Sequence, residues 1–313
     1  MKAIAIEEFG GKEKLQLTYM EKPNPREGEV LVRIKATSVN PVDYKLREGF
    51  LKGRLPHQFP LILGWDMSGV IEGRGHSARR FDQGEEVYAY ARRPLVQNGT
   101  YAEYISLPES YLARKPQGLN FEEAASVPLT GLTAYQALFV AGKLQPNQTV
   151  LLIGASGGVG TMAVQLAKIY GAHVIAVASG DNKDYVLNEL NADQFIDYKQ
   201  QTLLETLDEK VDLVFDMVGG AQLQETNELV KSGGEIVSIA GKYEDIALLK
   251  KENKTFSSVF VEPHSRQLDE LAELIKAGKL KPHVQQVFDL DEIKEAHELI
   301  ESGHTRGKIA VRI

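Results

Sequence analysis

From Thr149 onward the chain alternates nearly unbroken Val/Ile/Leu runs with helix-length segments, and few folds accept that rhythm. The runs are "TVLLIG", "HVIAVA", "QFIDY", "VDLVFDMVG", "GEIVSIA" and "TFSSVFVE". Strands apolar on both faces must be covered on both faces, and the intervening helices supply the cover. The pattern predicts an α/β domain with a doubly wound parallel sheet. A further helix is expected in "RQLDELAELIKAGKL", and the terminal "GKIAVRI" reads as a strand able to return to the first part of the chain.

That first part differs. Up to about residue 118 it has short apolar or alternating runs, "KAIAI", "EVLVRIKAT", "SGVIE", "EEVYAYA" and "YAEYISL", separated by breakers such as "KPNPREGE" and "VQNGTY". This predicts a β-rich, barrel-like domain. Helical spacing begins at "FEEAASVPLTGLTAYQALFVAG", with Asn120 as its expected N-cap. With 313 residues the chain has room for two domains.

Charge and cysteine content narrow the partners. A net charge of −7 argues against nucleic acid or an anionic membrane, since both favour a basic face. The absence of cysteine removes disulfides, thiolate metal sites and cysteine nucleophiles. The start, "MKAIAIEEFGG", has no apolar signal-peptide core, so a cytoplasmic location is expected.

The stretch "VLLIGASGGVGTMAVQLAKIYGAHVIAVAS", residues 150 to 179, places a glycine cluster between a strand and a helix. In "ASGGVG", Gly157 and Gly160 take the second and third positions of the dinucleotide fingerprint, and Ala155 replaces the first glycine. Small residues let the backbone approach a diphosphate, and the helix N-terminus offers free N–H groups. The expected cradle is Ser156, Gly157, Gly158, Val159 and Gly160. An NAD site would carry an acid at the end of the second strand, where this chain has Ala178 and Ser179. Lys183 follows, and Tyr198 ends the next strand. This set favours the 2′-phosphate of NADPH, although Asp181 could still reach a 2′-OH.

Together, "SVNPVDYKLREG", "LGWDMSGVIE", "GTYAEY", "SVPLTGLTAYQAL", "GASGGVG", "VDLVFDMVGG" and "GKIAVRI" resemble the medium-chain dehydrogenases/reductases, specifically the zinc-independent quinone oxidoreductase and enone reductase branch that includes zeta-crystallin-like proteins. The resemblance covers nearly the whole chain. It implies a GroES-like catalytic domain at 1–118, completed by about 264–313, and a Rossmann NADP-binding domain at 119–263. It also implies a cleft between the two domains and a homodimer formed through the last strand of the parallel sheet. Zinc-dependent members bind metal through Cys, His and Cys. Here those positions hold Asn40, Trp65 and Leu129, of which a Trp and a Leu cannot ligate. The seven histidines show no metal-binding spacing and are expected to be surface or structural.

Hydride must then go to an acceptor that needs no Lewis acid, and quinones and α,β-unsaturated carbonyls qualify. The candidate groups lie in "NPVDYKLREG". Asn40 is expected to bond the carboxamide or the substrate, Tyr44 and Lys45 to supply a donor or proton, and Asp43 to orient them. Thr133 aligns beside the nicotinamide. Ala240 and Gly241 are expected at the same end of the cofactor, with Lys242 near a phosphate. Trp65 either walls the cleft or belongs to the core. The expected activity is an NADPH-dependent transfer of hydride or electrons to a small-molecule quinone or enone, with one-electron quinone reduction and two-electron C=C reduction both open. An enoyl-thioester reductase, or an NADPH sensor or partner-binding protein with little turnover, stay open as alternatives.

Overall fold

The computed structural model describes every residue of the chain except 242, 243 and 245. Its contacts divide the chain into two compact units, one of Met1–Leu132, Glu262–Gly278 and Pro282–Ile313, the other of Thr133–Val261 and Lys279–Lys281.

Strands β1 to β9 of the first unit are Lys2–Ile6, Gln16–Tyr19, Glu29–Val39, His57–Ile62, Asp66–Arg74, Glu86–Tyr90, Val96–Asn98, Tyr104–Pro108 and Leu112–Arg114. Those of the second, β10 to β15, are Thr149–Ile153, His173–Ala178, Gln194–Asp197, Val211–Asp216, Val230–Ser238 and Thr255–Ser258. The chain then re-enters the first unit as β16 (Val284–Asp289) and β17 (Lys308–Arg312).

In the first unit β3 is the hub. It pairs with β5 on one side and β17 on the other, in a sheet ordered β16-β17-β3-β5-β6-β9, and β8 also pairs with it. A second sheet runs β2-β1-β4-β7. The terminal strand does return, with Ile309 opposite Val39 and Arg312 opposite Ala36. Val30, Val32, Ile34, Met67, Val87 and Phe81 fill the core between these strands.

Four helices matter for the site, the third of them crossing from the first unit into the second. Helix α1 (Pro41–Arg47) follows β3 directly, with Pro41 at its first turn, where the missing N–H costs nothing. The expected long helix after Asn120 is instead broken. Asn120 caps α2 (Phe121–Ala125), accepting from Glu123 N at 2.8 Å, and a new helix, α3 (Pro128–Tyr135), starts at Pro128. Proline ended the first run because its ring cannot follow within a helix interior. Near the C-terminus, the helix Ile293–Glu301 buries Ile293, Ala296 and His297, an i, i+3, i+4 stripe.

The second unit is one six-stranded parallel sheet ordered β12-β11-β10-β13-β14-β15. Every residue of Val150–Ile153 and Val174–Ala178 is buried, as a sheet covered on both faces requires. The order reverses at β10, so the carboxyl end of β10 is the topological switch point where such sheets bind ligands. The expected helix between β11 and β12 is present in irregular form, a 3-10 turn at Gly180–Asn182 leading into a π-helix at Tyr185–Glu189. None of the described helices is long and apolar enough to cross a membrane.

Candidate functional site

In the second unit the switch point carries the glycine loop. The chain leaves β10 at Gly154, whose φ is +93°, so the tight turn falls one residue before Ala155, the position matched to the fingerprint's first glycine. Gly157 is the N-cap of a helix spanning Gly158–Ile169 and, lacking a side chain, supplies no cap to its N–H groups. The first helical bond runs from Thr161 N to Gly157 O at 2.8 Å. The N–H groups of Gly158, Val159 and Gly160 are therefore those a helix leaves over, gathered at its positive end.

The two fingerprint glycines have different duties. A Cβ on Gly160 would sit 2.3 Å from the carbonyl oxygen of Gly154 and 2.5 Å from Ala155 C, both backbone atoms. A Cβ on Gly157 would meet only Gly154 O, at 3.6 Å. Gly160 lets helix and strand pack; Gly157 keeps space open in front of the free N–H groups. That space and those donors fit the diphosphate of a dinucleotide.

At the ends of β11 and β12, Tyr198 N donates to Ala178 O at 3.4 Å, which brings Ser179 and Tyr198 to one edge. Ser179 Oγ accepts from Asn182 Nδ2 at 3.0 Å, Tyr198 is half exposed, and Lys183 is exposed just after the turn. Sequence reasoning passed over Asp197. Its carboxylate lies 2.6 Å from where a Cβ on Gly180 would be, beside the same edge. Asp216, fully buried at the end of β13, was likewise missed. It accepts from Val218 N, Gly219 N and Ser238 Oγ at 3.1, 3.0 and 2.8 Å. Ser238 in turn accepts from Ala240 N and Gly241 N at 3.2 and 3.1 Å. One carboxylate thus shapes the turns after β13 and β14. Thr133 is buried in α3. Lys242 lies outside the described residues.

In the first unit the "NPVDYKLREG" residues do not form one cluster. Lys45 is exposed on α1, whereas Asp43, two positions earlier and so on the other side of the helix, is fully buried. Asp43 is therefore bonded to Asn40, while Lys45 lies on the exposed side of α1. Its Oδ2 accepts from Asn40 N at 2.8 Å and from Tyr101 Oη at 3.2 Å, while Oδ1 is buried without a hydrogen-bond partner. The Asn40 amide is 1% exposed. Oδ1 accepts from Lys308 Nζ at 2.5 Å and Nδ2 donates to Asp66 Oδ2 at 2.8 Å. Asp66 is the centre of this group, accepting also from Ser38 Oγ at 2.8 Å and Leu129 N at 2.7 Å, with Lys308 Nζ 3.6 Å away. Trp65 is 3% exposed and meets Tyr90 edge-on, centroids 6.1 Å apart, as part of the core. Among the described residues no group of three or more His, Asp or Glu could hold a metal ion.

Burial sets the ionisation here. It raises the Asp43 carboxyl to about 7, against the Asn40 N–H and the Lys308 charge, which pull it down. It depresses the Lys308 ammonium, opposed by Asp66 and Asp43. It depresses the His297 imidazole to about 3, and the nearby Arg47 acts in the same direction.

Two predictions follow from these geometries. Gly157→Ala is expected to cost no more than ~1 kcal/mol of stability yet weaken dinucleotide binding at least ~10-fold, about 1.4 kcal/mol. Gly160→Ala is expected to destabilise the second unit by about 1–3 kcal/mol or more. Urea unfolding and cofactor titration of both variants check this. The second concerns pH. Asp43 binds its proton more readily folded than unfolded, so its contribution is full below its ordinary value of 3.8 and is lost as pH rises to about 7. His297 releases its proton more readily folded, so its contribution is present above 6.5 and lost as pH falls toward 3. The two oppose each other between roughly pH 4 and 6.5. Across that window Asp43→Asn should gain stability with pH and His297→Gln should lose it, each by up to about 1 kcal/mol per pH unit relative to the parent chain.

Comparison with known proteins agrees with the geometry. Residues 26–117 match the alcohol dehydrogenase GroES-like domain, and residues 190–311 match the zinc-binding dehydrogenase family. The human NAD(P)H oxidoreductase RTN4IP1, mitochondrial, is 32% identical over 100% of this chain and 89% of its own. A 2-methylene-furan-3-one reductase of Solanum lycopersicum is 32% identical, covering 99% of this chain and 79% of its own. The crystal structure of Escherichia coli quinone oxidoreductase complexed with NADPH superposes with a TM-score of 0.90 at 26% identity, covering 100% of both chains. With a GroES-like unit, a Rossmann unit and quinone oxidoreductase and enone reductase homologues, the chain belongs to the medium-chain dehydrogenase/reductase superfamily and is an NAD(P)H oxidoreductase of it.

Proposed function

We propose that the chain is an NADPH-dependent reductase of quinones or α,β-unsaturated carbonyls that works without a metal. The observation that carries this reading is the open space at Gly157 before three unpaired helix N–H groups. The names of the tomato and E. coli relatives, an enone reductase and a quinone oxidoreductase, supply the acceptor classes.

When bound, the dinucleotide supplies a hydride, and the residues of this chain hold and orient it. Ser156 and the N–H groups of Gly158, Val159 and Gly160 bind the diphosphate. Ser179, Lys183 and Tyr198 take the 2′-phosphate. Thr133 and the backbone of Ala240 and Gly241 serve the nicotinamide end. Asn40 orients the carboxamide or the acceptor, with Asp43 as its positioning partner. Lys45 remains a proton source only if the chain moves it inward from its exposed place on α1.

Asp197 supports a second reading, NADH, because a carboxylate at that edge accepts from a 2′-OH and repels a 2′-phosphate. Titration of the protein with both cofactors decides. NADPH binding at least ~10-fold tighter, lost in Lys183→Glu, is expected, a difference of about 1.4 kcal/mol; equal or tighter NADH binding would contradict it. The acceptor class is tested by following NADPH consumption with 1,4-benzoquinone, 9,10-phenanthrenequinone, methyl vinyl ketone and 2-hexenal, with and without EDTA. Turnover indifferent to EDTA is expected. Tight NADPH binding with silence across the panel would make the protein a sensor. The edge strand β15 is the proposed homodimer contact, since an uncovered edge invites pairing; a purely monomeric mass by light scattering at micromolar concentration would overturn that.

A further inference from the structure

A single hydrogen-bonded chain of buried side chains runs through the first unit from α1 to the C-terminal helix. Arg47 is 1% exposed and holds Glu301 and Glu48 at 2.8 and 2.7 Å. Its Nη1 meets His297 Nδ1 at 3.0 Å, His297 Nε2 meets Tyr101 Oη at 3.2 Å, and Tyr101 Oη meets Asp43 Oδ2 at 3.2 Å. His297 and Tyr101 are fully buried.

Donor and acceptor chemistry gives this chain one direction. A guanidinium only donates, so His297 Nδ1 accepts and the ring proton sits on Nε2. Nε2–H then donates to Tyr101 Oη, which leaves the Tyr101 hydroxyl hydrogen for Asp43. Every bond points at the Asp43 carboxylate, whose other donor is Asn40 N. The Asn40 side chain is fixed the same way. Lys308 only donates, so the atom facing it is Oδ1, and Nδ2 must face Asp66. One hydrogen of Nδ2 remains after the bond to Asp66, and its direction is set by the three contacts of Asn40 to Lys308, Asp66 and Asp43.

We propose that Asp43, held by the buried Arg47–His297–Tyr101 chain, is a positioning residue that sets the place of Asn40 and the direction of its remaining amide N–H. The arrangement is not a route for protons, because Arg47, its outer end, does not give up a proton. Its effect on turnover rests on the reading of Asn40 as a site residue; its effect on Asn40 itself does not. Several groups bear on Asp43: Tyr101 beyond β7, Lys308 on β17, Asp66 on β5 and Tyr90 on β6, with His297, Arg47 and Glu301 behind Tyr101.

The test follows Asn40 directly by NMR, in full-length protein labelled with ¹⁵N-asparagine, with its signals identified by their loss in Asn40→Ser. In the parent chain the Asn40 backbone amide proton should move downfield as pH rises through about 7, when Asp43 becomes a carboxylate. Asp43→Asn should abolish that movement. Tyr101→Phe removes a donor to the carboxylate and should raise its midpoint; this variant serves if Asp43→Asn fails to fold. Asn40 signals indifferent to pH and to Tyr101→Phe would overturn the proposal. If an acceptor is turned over, both variants should lower kcat about 10-fold or more while leaving NADPH affinity within about 2-fold, the scale on which small misplacements act. A parent chain with no turnover defeats the reductase reading and leaves the NMR result to decide this one.

Discussion

The Asp66 carboxylate is the interaction on which the first unit's arrangement depends. A fully buried carboxyl group needs donors to replace its lost hydration, and this one collects them from four places in the sequence. Ser38 comes from β3, Asn40 from the start of α1, Leu129 from α3 and Lys308 from β17. Two of these contacts join segments separated by more than 60 residues, so the group ties the N-terminal strands to the end of the chain. The terminal strand also rests on its ladder with β3 and on the buried Ile309, Ala310 and Val311, and Lys308 adds a charge to that return. The strand brings the only buried cation able to face both Asp66 and the Asn40 amide among the contacts described.

The second unit repeats the device on a smaller scale. Asp216 ends β13 and gathers Val218 N, Gly219 N and, through Ser238, the turn that carries Ala240 and Gly241. In both units a buried aspartate at one terminus of a strand, the first residue of β5 or the last of β13, holds backbone that regular secondary structure would not. The glycine loop achieves the same end without charge. Gly160 removes a Cβ where helix and strand meet, and Gly157 removes one where a ligand would approach. Rigid positions for weakly held segments are what orientation of a cofactor demands.

Much of this was legible in the sequence, for identifiable reasons. Alternating buried strands and helices follow from apolar patterning, and the glycine loop is recognisable because its strand–turn–helix context is local. The return of "GKIAVRI" was legible as a terminal apolar strand with no partner nearby, though not its register against β3. Long-range polar contacts were not legible. Nothing near "NPVDYK" indicates that Asn40 would be enclosed by Lys308 and Asp66, or that Asp43 would face Tyr101 and away from Lys45. His297 was expected to be structural or exposed, and it lies in the apolar stripe of its helix; its partners come from 196 and 250 residues away. The turn at Gly154 was displaced by one residue because the fingerprint fixes spacing and not φ. The break at Ser126–Val127 was written in Pro128, whose ring outweighed the helical periodicity around it.

The central claim is hydride transfer from NADPH by a protein that orients rather than polarises. Single-turnover stopped flow tests it most directly, mixing the NADPH complex with 1,4-benzoquinone in EDTA, with each of the two NADPH forms deuterated at C4. The account predicts that one deuterated form slows NADPH oxidation by a primary isotope effect while the other reacts near the unlabelled rate, because an oriented nicotinamide gives up one hydrogen only. Oxidation at the same rate with all three forms, or none without added metal, would contradict it.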